Sequence, residues 1–427
     1  MNCQQILDKL QKGTLDACLC ALYGKEALPL QHARYADAIR AFAARFGTER
    51  EITLFSVSGR SELSGNHTDH NAGMALAAAV DLDVIAVASP TETRTVTLLS
   101  AGYGEDEVDL DSFCAPRADR YAHSDALIAG IACGLKNAGF GAGGFDAYTT
   151  SNVPKGSGLS SSAAFEILVG SIQNRFYNGD RIGAVTLAQI AKYAENEFFG
   201  KPCGLLDQLA IATGGICALD FADPAAPLVQ KVDFDMTGAG FALCIVNTGG
   251  NHADLTADYA AVPAEMKAIA KELGGDVLRR VDERALLTDF ARLRECVGDR
   301  ALLRAFHFFS ENHRVREQVA ALAAGDLDAF LEKVWASGRS SFQYLQNVYA
   351  PHNPAEQGLS LALCLAERFL VGKRGACRVH GGGFAGTIQV FLPQEHVDAL
   401  CELMDRAFGE GACTALHIRA QGPAVIE

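Results

Sequence analysis

The segment PKGSGLSSSAAFEILVG, residues 154–170, limits what the chain can fold into more than any other stretch. It follows FDAYTTS (145–151), whose β-branched and aromatic residues read as a strand, and it runs into an apolar pattern that reads as a helix from about Ser160. A strand, a glycine-punctuated turn and a helix must therefore come in immediate succession. Such a turn aims several backbone N–H groups in one direction, and the helix N-terminus adds about half a positive charge where they converge. An anion belongs there, and phosphate is the natural one. The alternative is a helix merely capped by its serines, since Ser160, Ser161 and Ser162 are each competent N-caps. The common phosphate loop, G-x-x-x-x-G-K-[ST], occurs nowhere in the sequence.

At 427 residues the chain is too long for a single hydrophobic core, and two domains are expected. Residues 33–47 carry apolar side chains at helical spacing up to Gly47. ITLFSVS (52–58) and the stretches 78–89 and 93–100 read as strands, and the stretch 59–73 between the first two reads as a loop. Helices are expected at 124–136, 183–199 and 204–213, and strands again at 215–221 and 241–247. Between these last two strands Asp223, Pro224, Pro227, Gly238 and Gly240 cluster, which puts a boundary near residue 230 and domains at 1–230 and 231–427. The second half is mostly helical to about 370. It then reads as strand (CRVHG), glycine loop, strand (TIQVFLP), helix (396–407) and strand (ALHIR). Strands and helices that do not alternate strictly indicate an α+β fold and argue against a doubly wound sheet.

Charge and cysteine usage narrow the partners. The 51 Asp and Glu outnumber the 37 Lys and Arg, for a net charge of −14, which argues against nucleic acid or an anionic membrane as partner. The 13 cysteines, an odd number lying mostly in apolar runs, read as buried small hydrophobes in a reducing compartment. No C-x-x-C pair occurs, and Cys18 and Cys20 have no second pair to complete a zinc site. Asp8, Lys9 and Lys12 interrupt the N-terminal segment, unlike a signal peptide, and Asp81 and Asp83 break the longest apolar stretch. A soluble cytoplasmic protein is expected.

Three further segments carry candidate chemistry. GRSELSGNHTDHNAG (59–73) packs Arg60, Asn66, His67, Asp69 and His70 between apolar strands. Buried polar groups left unpaired cost about 1–3 kcal/mol each, so this mix of amide, imidazole and carboxylate points to a polyhydroxylated ligand. Rivals are a loop folded on its own Asn and Asp turns, or a metal at His67, Asp69 and His70. In AENEFFGKPCGLLDQLAIATGG (194–215), Asp207 and Gln208 interrupt an apolar helical run. A carboxylate there needs a partner, for which Arg60 is the candidate, and the pair serves either structure or catalysis. Glu195 and Glu197 fit a solvated face or a magnesium ligand. In CRVHGGGFAGTIQVFLP (377–393), Gly381, Gly383 and Gly386 match G-x-G-x-x-G, but a strand follows where a dinucleotide site needs a helix. That removes a nicotinamide-dependent oxidoreductase. Gly139, Gly141 and Gly144 likewise precede a strand and form a turn.

Taken in this order, the segments resemble the GHMP family of small-molecule kinases, and within it the galactokinases. GRSELSGNHTDHN is similar to the sugar-binding signature, VPKGSGLSSSAA to the phosphate loop, RVHGGGFAGTIQVFLP to the C-terminal glycine loop, and AENEFFGKPCGLLDQ to the galactokinase segment bearing the catalytic aspartate. The resemblance implies a two-domain α+β fold with the active site in the cleft between the domains. It implies ATP-dependent phosphorylation of the C1 hydroxyl of galactose, with Mg²⁺. By it, Gly156, Ser157, Gly158, Leu159, Ser160, Ser161 and Ser162 wrap the ATP phosphates, and Ser162 and Glu195 hold magnesium. Asp207 becomes the base or orienting carboxylate with Arg60 beside it, and Asn66, His67, Asp69, Gly204 and Tyr259 become sugar contacts. A small-molecule sugar is then the only partner required, with the protein a monomer or weak homo-oligomer.

Two positions depart from the pattern. Galactokinases usually carry glutamate where this chain has Asn66, and tyrosine where it has His70. The glutamate is expected near the C6 hydroxyl of the sugar, and asparagine there would tolerate a carboxylate, so galacturonate is a rival substrate. A non-catalytic sugar and ATP sensor is a further alternative, against which stand the complete serine loop and Asp207.

Overall fold

The computed structural model describes residues 1–154, 158–250 and 255–427. Two sheets organise the chain. The first contains β1 (Thr53–Ser64), β2 (Met74–Pro90), β3 (Thr95–Ser100), β4 (Gly104–Asp109), β5 (Phe145–Ser151), β6 (Ile216–Asp220) and β7 (Leu228–Val232). The second contains β8 (Phe241–Asn247), β9 (Ala376–His380), β10 (Thr387–Pro393) and β11 (Cys413–Leu416) in the order β11-β8-β10-β9. The chain then crosses back, and β12 (Ala424–Ile426) pairs with β1 through Leu54 and Ile426. The path of the first sheet is β12-β1-β2-β5-β3-β4, and β2 is long enough to pair with β5 through its second half and with β6 through its first. All pairs are antiparallel except β3 with β5. The mixture of sheets and helix groups is the α+β arrangement expected.

Helices close both sheets. On one face of the first sheet, α1 (Cys3–Gln11), α2 (Asp16–Tyr23) and α3 (Leu28–Phe46) bury Ile6, Leu19, Tyr35, Ile39 and Phe42 against Leu54, Ile85, Val87 and Ile426. On the other lie α4 (Ser124–Asn137), α5 (Ser161–Asn178), α6 (Ala184–Tyr193) and α7 (Leu206–Thr213). Next come α8 (Thr256–Glu272), α9 (Glu283–Thr288), α10 (Phe290–Val297), α11 (Asp299–Ala323) and α12 (Leu327–Ser340). Finally α13 (Gly358–Leu370) and α14 (Val397–Phe408) pack on the second sheet around Val379, Ile388 and Val390. Among the described residues, no helix is long and apolar enough to cross a membrane.

The N-terminal helices are locked by a buried polar knot. Asp83 on β2 accepts from Tyr23 Oη at 2.5 Å and Arg34 Nη1 at 2.6 Å, and from Ser56, while Arg419 Nη1 lies 3.7 Å away. Asp83 and Arg419 are both wholly buried, so every charge in the knot is met by an opposite charge or a hydroxyl.

Several expectations need correcting. The stretch expected as a loop from residue 59 is strand as far as Ser64, because Arg60, Ser61 and Glu62 pair with Ala79, Ala78 and Ala77 of β2. Register shifts at Ser58/Arg60 and Glu62/Ser64 are bulges that re-aim the strand's side chains at this point. Residue 230 falls inside β7, which pairs with β6, and β12 returns to the first sheet, so the chain does not divide cleanly there. β4, with the sequence GEDEVD on an exposed edge, lacks the apolar alternation that marks a strand. The strand expected at ALHIR lies earlier, at Cys413–Leu416, and Ile418 already bridges to Val80 of the first sheet.

Candidate active site

Three separate segments, β1, the serine loop and α7, meet at Asp207. Arg60 on β1 donates to Asp207 Oδ1 from Nε at 2.9 Å and Nη2 at 2.6 Å, and the Ser160 hydroxyl donates to Asp207 Oδ2. Arg60 also grips the serine loop, its Nη1 on the Gly158 carbonyl and its backbone N–H on Leu159 O at 3.1 Å. Ser160 sits just before α5 with φ +60°, and its hydroxyl makes no helix cap. Holding a non-glycine residue in that left-handed region costs on the order of 1–3 kcal/mol. The serine-capped helix is therefore not what forms: the hydroxyl goes to Asp207, and the first N–H groups of α5 stay open to an anion. Burial pushes the Asp207 carboxyl up, but Arg60 and the Ser160 hydroxyl outweigh it and hold the group below the ordinary aspartate range. With its side chain 35% exposed, Asp207 can still accept a hydrogen bond from a ligand.

Beside this pair lies a second carboxylate centre. A single π-helical turn, Ala194–Phe198, extends α6 and turns Glu195 inward until its side chain is 3% exposed. Glu195 Oε1 accepts from Lys201 Nζ at 2.8 Å and from Ser162 Oγ at 3.4 Å, and Oε2 accepts from Gln208 Nε2 at 2.8 Å. Gln208 Nε2 also donates to Glu166 Oε2 at 3.1 Å, while Glu166 Oε1 is buried without a partner. Burial, then repulsion from Glu195, push the Glu166 carboxyl well above its ordinary range. Lys201, whose side chain is 60% exposed, is thus a second cation at the centre, beside Glu195 and within the electrostatic reach of Asp207. It lies in the segment that carries the aspartate, but a lysine after glycine in a polar turn gives no signal of its own.

The remaining expected residues lie where the loop after β1 meets the glycine loop after β9. Asp69 faces Gly204 so closely that a Cβ on residue 204 would overlap its Oδ2 and push that carboxylate out of its present place. His67 Nε2 hydrogen-bonds Gly382 O at 2.8 Å, and burial lowers its pKa to about 4. The neutral ring therefore donates from Nε2, leaving Nδ1 as an acceptor. This geometry spends Nε2 on the backbone, away from a metal shared with Asp69 and His70. The Tyr259 hydroxyl, on α8, donates to Gly383 O at 2.8 Å.

Asn66 does not face this site. It is fully buried, its Nδ2 donating to Glu62 Oε1 at 3.0 Å and Gly381 O at 2.7 Å, its Oδ1 accepting from Asn347 Nδ2 at 2.7 Å and Ser341 Oγ at 3.3 Å. His307 Nε2 holds its backbone carbonyl at 2.9 Å, and Glu311 accepts the neighbouring Gly65 N–H at 3.0 Å. These anchors on α11 turn residue 66 inward, which overturns its expected role as a sugar contact. Its actual role is to tie the loop to the glycine loop. Gly156 and Ser157 lie outside the described residues; Gly158, Leu159, Ser160, Ser161 and Ser162 follow in sequence up to and into α5.

Two family models match the chain, GHMP kinases N terminal domain over residues 126–215 and galactokinase galactose-binding signature over residues 40–90. A galactokinase of Streptomyces coelicolor is 31% identical over 378 residues, covering 88% of this chain and 94% of the relative. The human galactokinase is 30% identical over 401 residues, covering 92% and 96%. The chain belongs to the galactokinase family. Among solved structures, a Lactococcus lactis galactokinase complexed with galactose superposes with a TM-score of 0.76 at 25% identity, covering 92% of this chain and 99% of that one. The Methanococcus jannaschii mevalonate kinase, at 14% identity and TM-score 0.61 over 87% of this chain and 99% of that one, shares the fold.

In this galactokinase-family protein a cavity of about 600 Å³ opens beside the serine loop. Ser161 and Ser162 form one end, and Tyr103, Leu127, Phe165 and Phe199 supply apolar and aromatic walls. Such walls suit a flat heteroaromatic ring, with the serine end directed at its phosphates. None of these aromatic residues was indicated by spacing, because they come from a turn after β3, from α5 and from the end of the π turn.

Proposed function

We propose that the protein transfers the γ-phosphoryl group of ATP to the anomeric C1 hydroxyl of galactose, giving galactose 1-phosphate and ADP. The observation that carries this reading is the convergence of Arg60, Ser160 and Asp207 at the open N-terminus of α5. Phosphoryl transfer needs positioning and charge stabilisation more than covalent help. Asp207, held ionised, accepts the hydrogen bond of the C1 hydroxyl and orients it; the same low pKa makes it a weak base. Arg60 fixes Asp207 relative to the serine loop, so acceptor and donor phosphate share one reference point. Gly156, Ser157, Gly158, Leu159, Ser160, Ser161 and Ser162 wrap the phosphates, and the aromatic cavity takes the base. Asp69, Gly204, His67 and Tyr259 form the sugar side, with His67 Nδ1 accepting from a hydroxyl.

The oxygens of Ser162 and Glu195 fit Mg²⁺, a hard cation that takes one or two protein oxygens and completes its shell with phosphates and water. When bound, it neutralises charge on the transferring phosphates. Lys201 supplies a second positive charge at the same carboxylate. We read the protein as two domains, about 1–230 and 231–427 with the last strand returned to the first, acting in the cytoplasm as a monomer or weak homo-oligomer without nucleic acid or membrane.

Galacturonate is the second reading, and its ground was an asparagine facing C6. With Asn66 saturated by protein groups, that ground is removed. Purified protein with Mg²⁺ and ATP, offered galactose, galacturonate, N-acetylgalactosamine and arabinose, should turn over galactose fastest and give a product with phosphorus–C1 coupling by NMR. No turnover on any of the four would sink the kinase reading and leave the sensor.

A further inference from the structure

Three thiols that play no part in phosphoryl transfer meet on the second sheet. Cys401 projects from α14, Cys413 from β11 and Cys244 from β8. The Sγ atoms of Cys401 and Cys413 are 3.1 Å apart, and Cys244 lies close enough to shift the ionisation of both. Cys244 and Cys413 are buried, whereas Cys401 is only half-buried and reachable from solvent. By contrast Cys114, Cys296 and Cys364 are exposed thiols.

We propose that Cys401 and Cys413 form an oxidation site for small hydroperoxides, closing to a disulfide that clamps α14 onto β11. The geometry supplies what the chemistry needs. A thiolate is the nucleophile in such reactions, and the sulfur that solvent and peroxide can reach is that of Cys401, 3.1 Å from a buried second sulfur. The neighbouring thiols of Cys244 and then Cys413 lower the Cys401 pKa, against opposing effects of burial and Asp405, while the thiols of Cys244 and Cys413 are pushed up. The half-exposed sulfur is therefore the attacking one and a buried sulfur the resolving one. In the first step the Cys401 thiolate attacks one peroxide oxygen; the O–O bond breaks, sulfur is oxidised to the sulfenic acid, and hydroxide leaves. Cys413 then gives its proton to that hydroxide, forming water, and its sulfur displaces the sulfenic oxygen as hydroxide, which becomes the second water by taking back from solvent the proton that Cys401 released on ionising. Two thiols and one hydrogen peroxide thus become one disulfide and two waters.

The clamp would sit beside the active half of the second sheet. Cys413 pairs with Val246, and the Asn247 N–H donates to Ala412 O at 2.8 Å. The next residue, Thr248, holds Gly386 O of the glycine loop through its backbone N–H at 2.9 Å. Fixing β11 therefore fixes the end of β8, whose next residue holds the last glycine of that loop.

The test treats the folded, full-length protein with hydrogen peroxide, blocks remaining thiols under denaturing conditions and maps them by peptide mass spectrometry. Cys401 and Cys413 should be lost together as a linked peptide, about tenfold faster than Cys114, Cys296 or Cys364 are oxidised, and dithiothreitol should restore both. In Cys413→Ser, Cys401 should either carry a dimedone adduct or link to Cys244; finding neither would overturn its role as the attacked thiol. Oxidation of the exposed thiols first, with Cys401 and Cys413 still open to alkylation, would overturn the site altogether.

Discussion

Asp83 and Asp207 are both aspartates held by arginine near the first sheet, and they differ in what is left over. Around Asp83 every valence is filled, by Arg34, Arg419, Tyr23 and Ser56, and the carboxylate is sealed from solvent. Asp207 has one arginine and one serine, keeps a third of its surface open, and lies beside a carboxylate pair whose Glu166 oxygen has no partner. Saturated charge holds the N-terminal helices to the sheet. Unsaturated charge is what a ligand completes. An arginine–aspartate pair thus reads as structure or as catalysis according to its surroundings, which a sequence does not display.

Replacing each acid by its amide separates the two roles. Asp207→Asn should lower kcat by about 10²–10³-fold, the scale of losing one aligned electrostatic group, while nucleotide affinity by equilibrium titration stays at the wild-type level. Wild-type turnover in that variant would remove Asp207 from the reaction. Asp83→Asn should do the reverse: it leaves Arg34 and Arg419 facing a neutral group, costing about 3–5 kcal/mol in denaturant unfolding, with activity per folded molecule retained.

Next in size is a pH effect. Burial lowers the His307 pKa to about 4. The unfolded chain takes up a proton near pH 6.5 that the folded chain refuses until about pH 4, so stability falls as pH drops through that window and levels off below it. The loss is about 3 kcal/mol for this group. His307→Gln should flatten the slope; an unchanged slope would assign it to other groups, His67 first among them. Lys201→Met should lower kcat/KM for MgATP by about tenfold, measured on the folded variant, because it removes the positive charge that faces the buried Glu195 carboxylate. Smallest of all, Asn66→Ala should raise KM for galactose and galacturonate together and leave their ratio unchanged, since the residue positions the loop and touches neither sugar. A shift in that ratio would return Asn66 to the site.

Much of this was legible in the residues. The serine loop and the order of most helices and strands follow from local patterns, because glycine turns and apolar periodicity act over a few residues, and the Arg60–Asp207 pair follows from the need of a carboxylate in an apolar run for a cation. What escaped depends on contacts far apart in the chain. Asn66 looked like a ligand because it stands beside His67 and Asp69 in one polar stretch, and only α11 and the turn at 341–347 reveal its orientation. Lys201, Glu166 and the π turn at Glu195 become a charge cluster only once α5, α6 and α7 pack together. β4 and β7 are strands by pairing and not by alternation.

The return of β12 has a consequence for how the chain is made. Residues 424–426 complete the first sheet beside β1, although the other strands of that sheet all end by residue 232. On a ribosome, the N-terminal half therefore emerges with the edge of β1 bare and the ends of its apolar helices uncovered, and it waits through the synthesis of the whole second sheet for its last strand. A nascent chain of this kind carries an exposed strand edge for tens of seconds at ordinary translation rates of about 5–20 residues per second, which marks that edge as the place for a chaperone to hold.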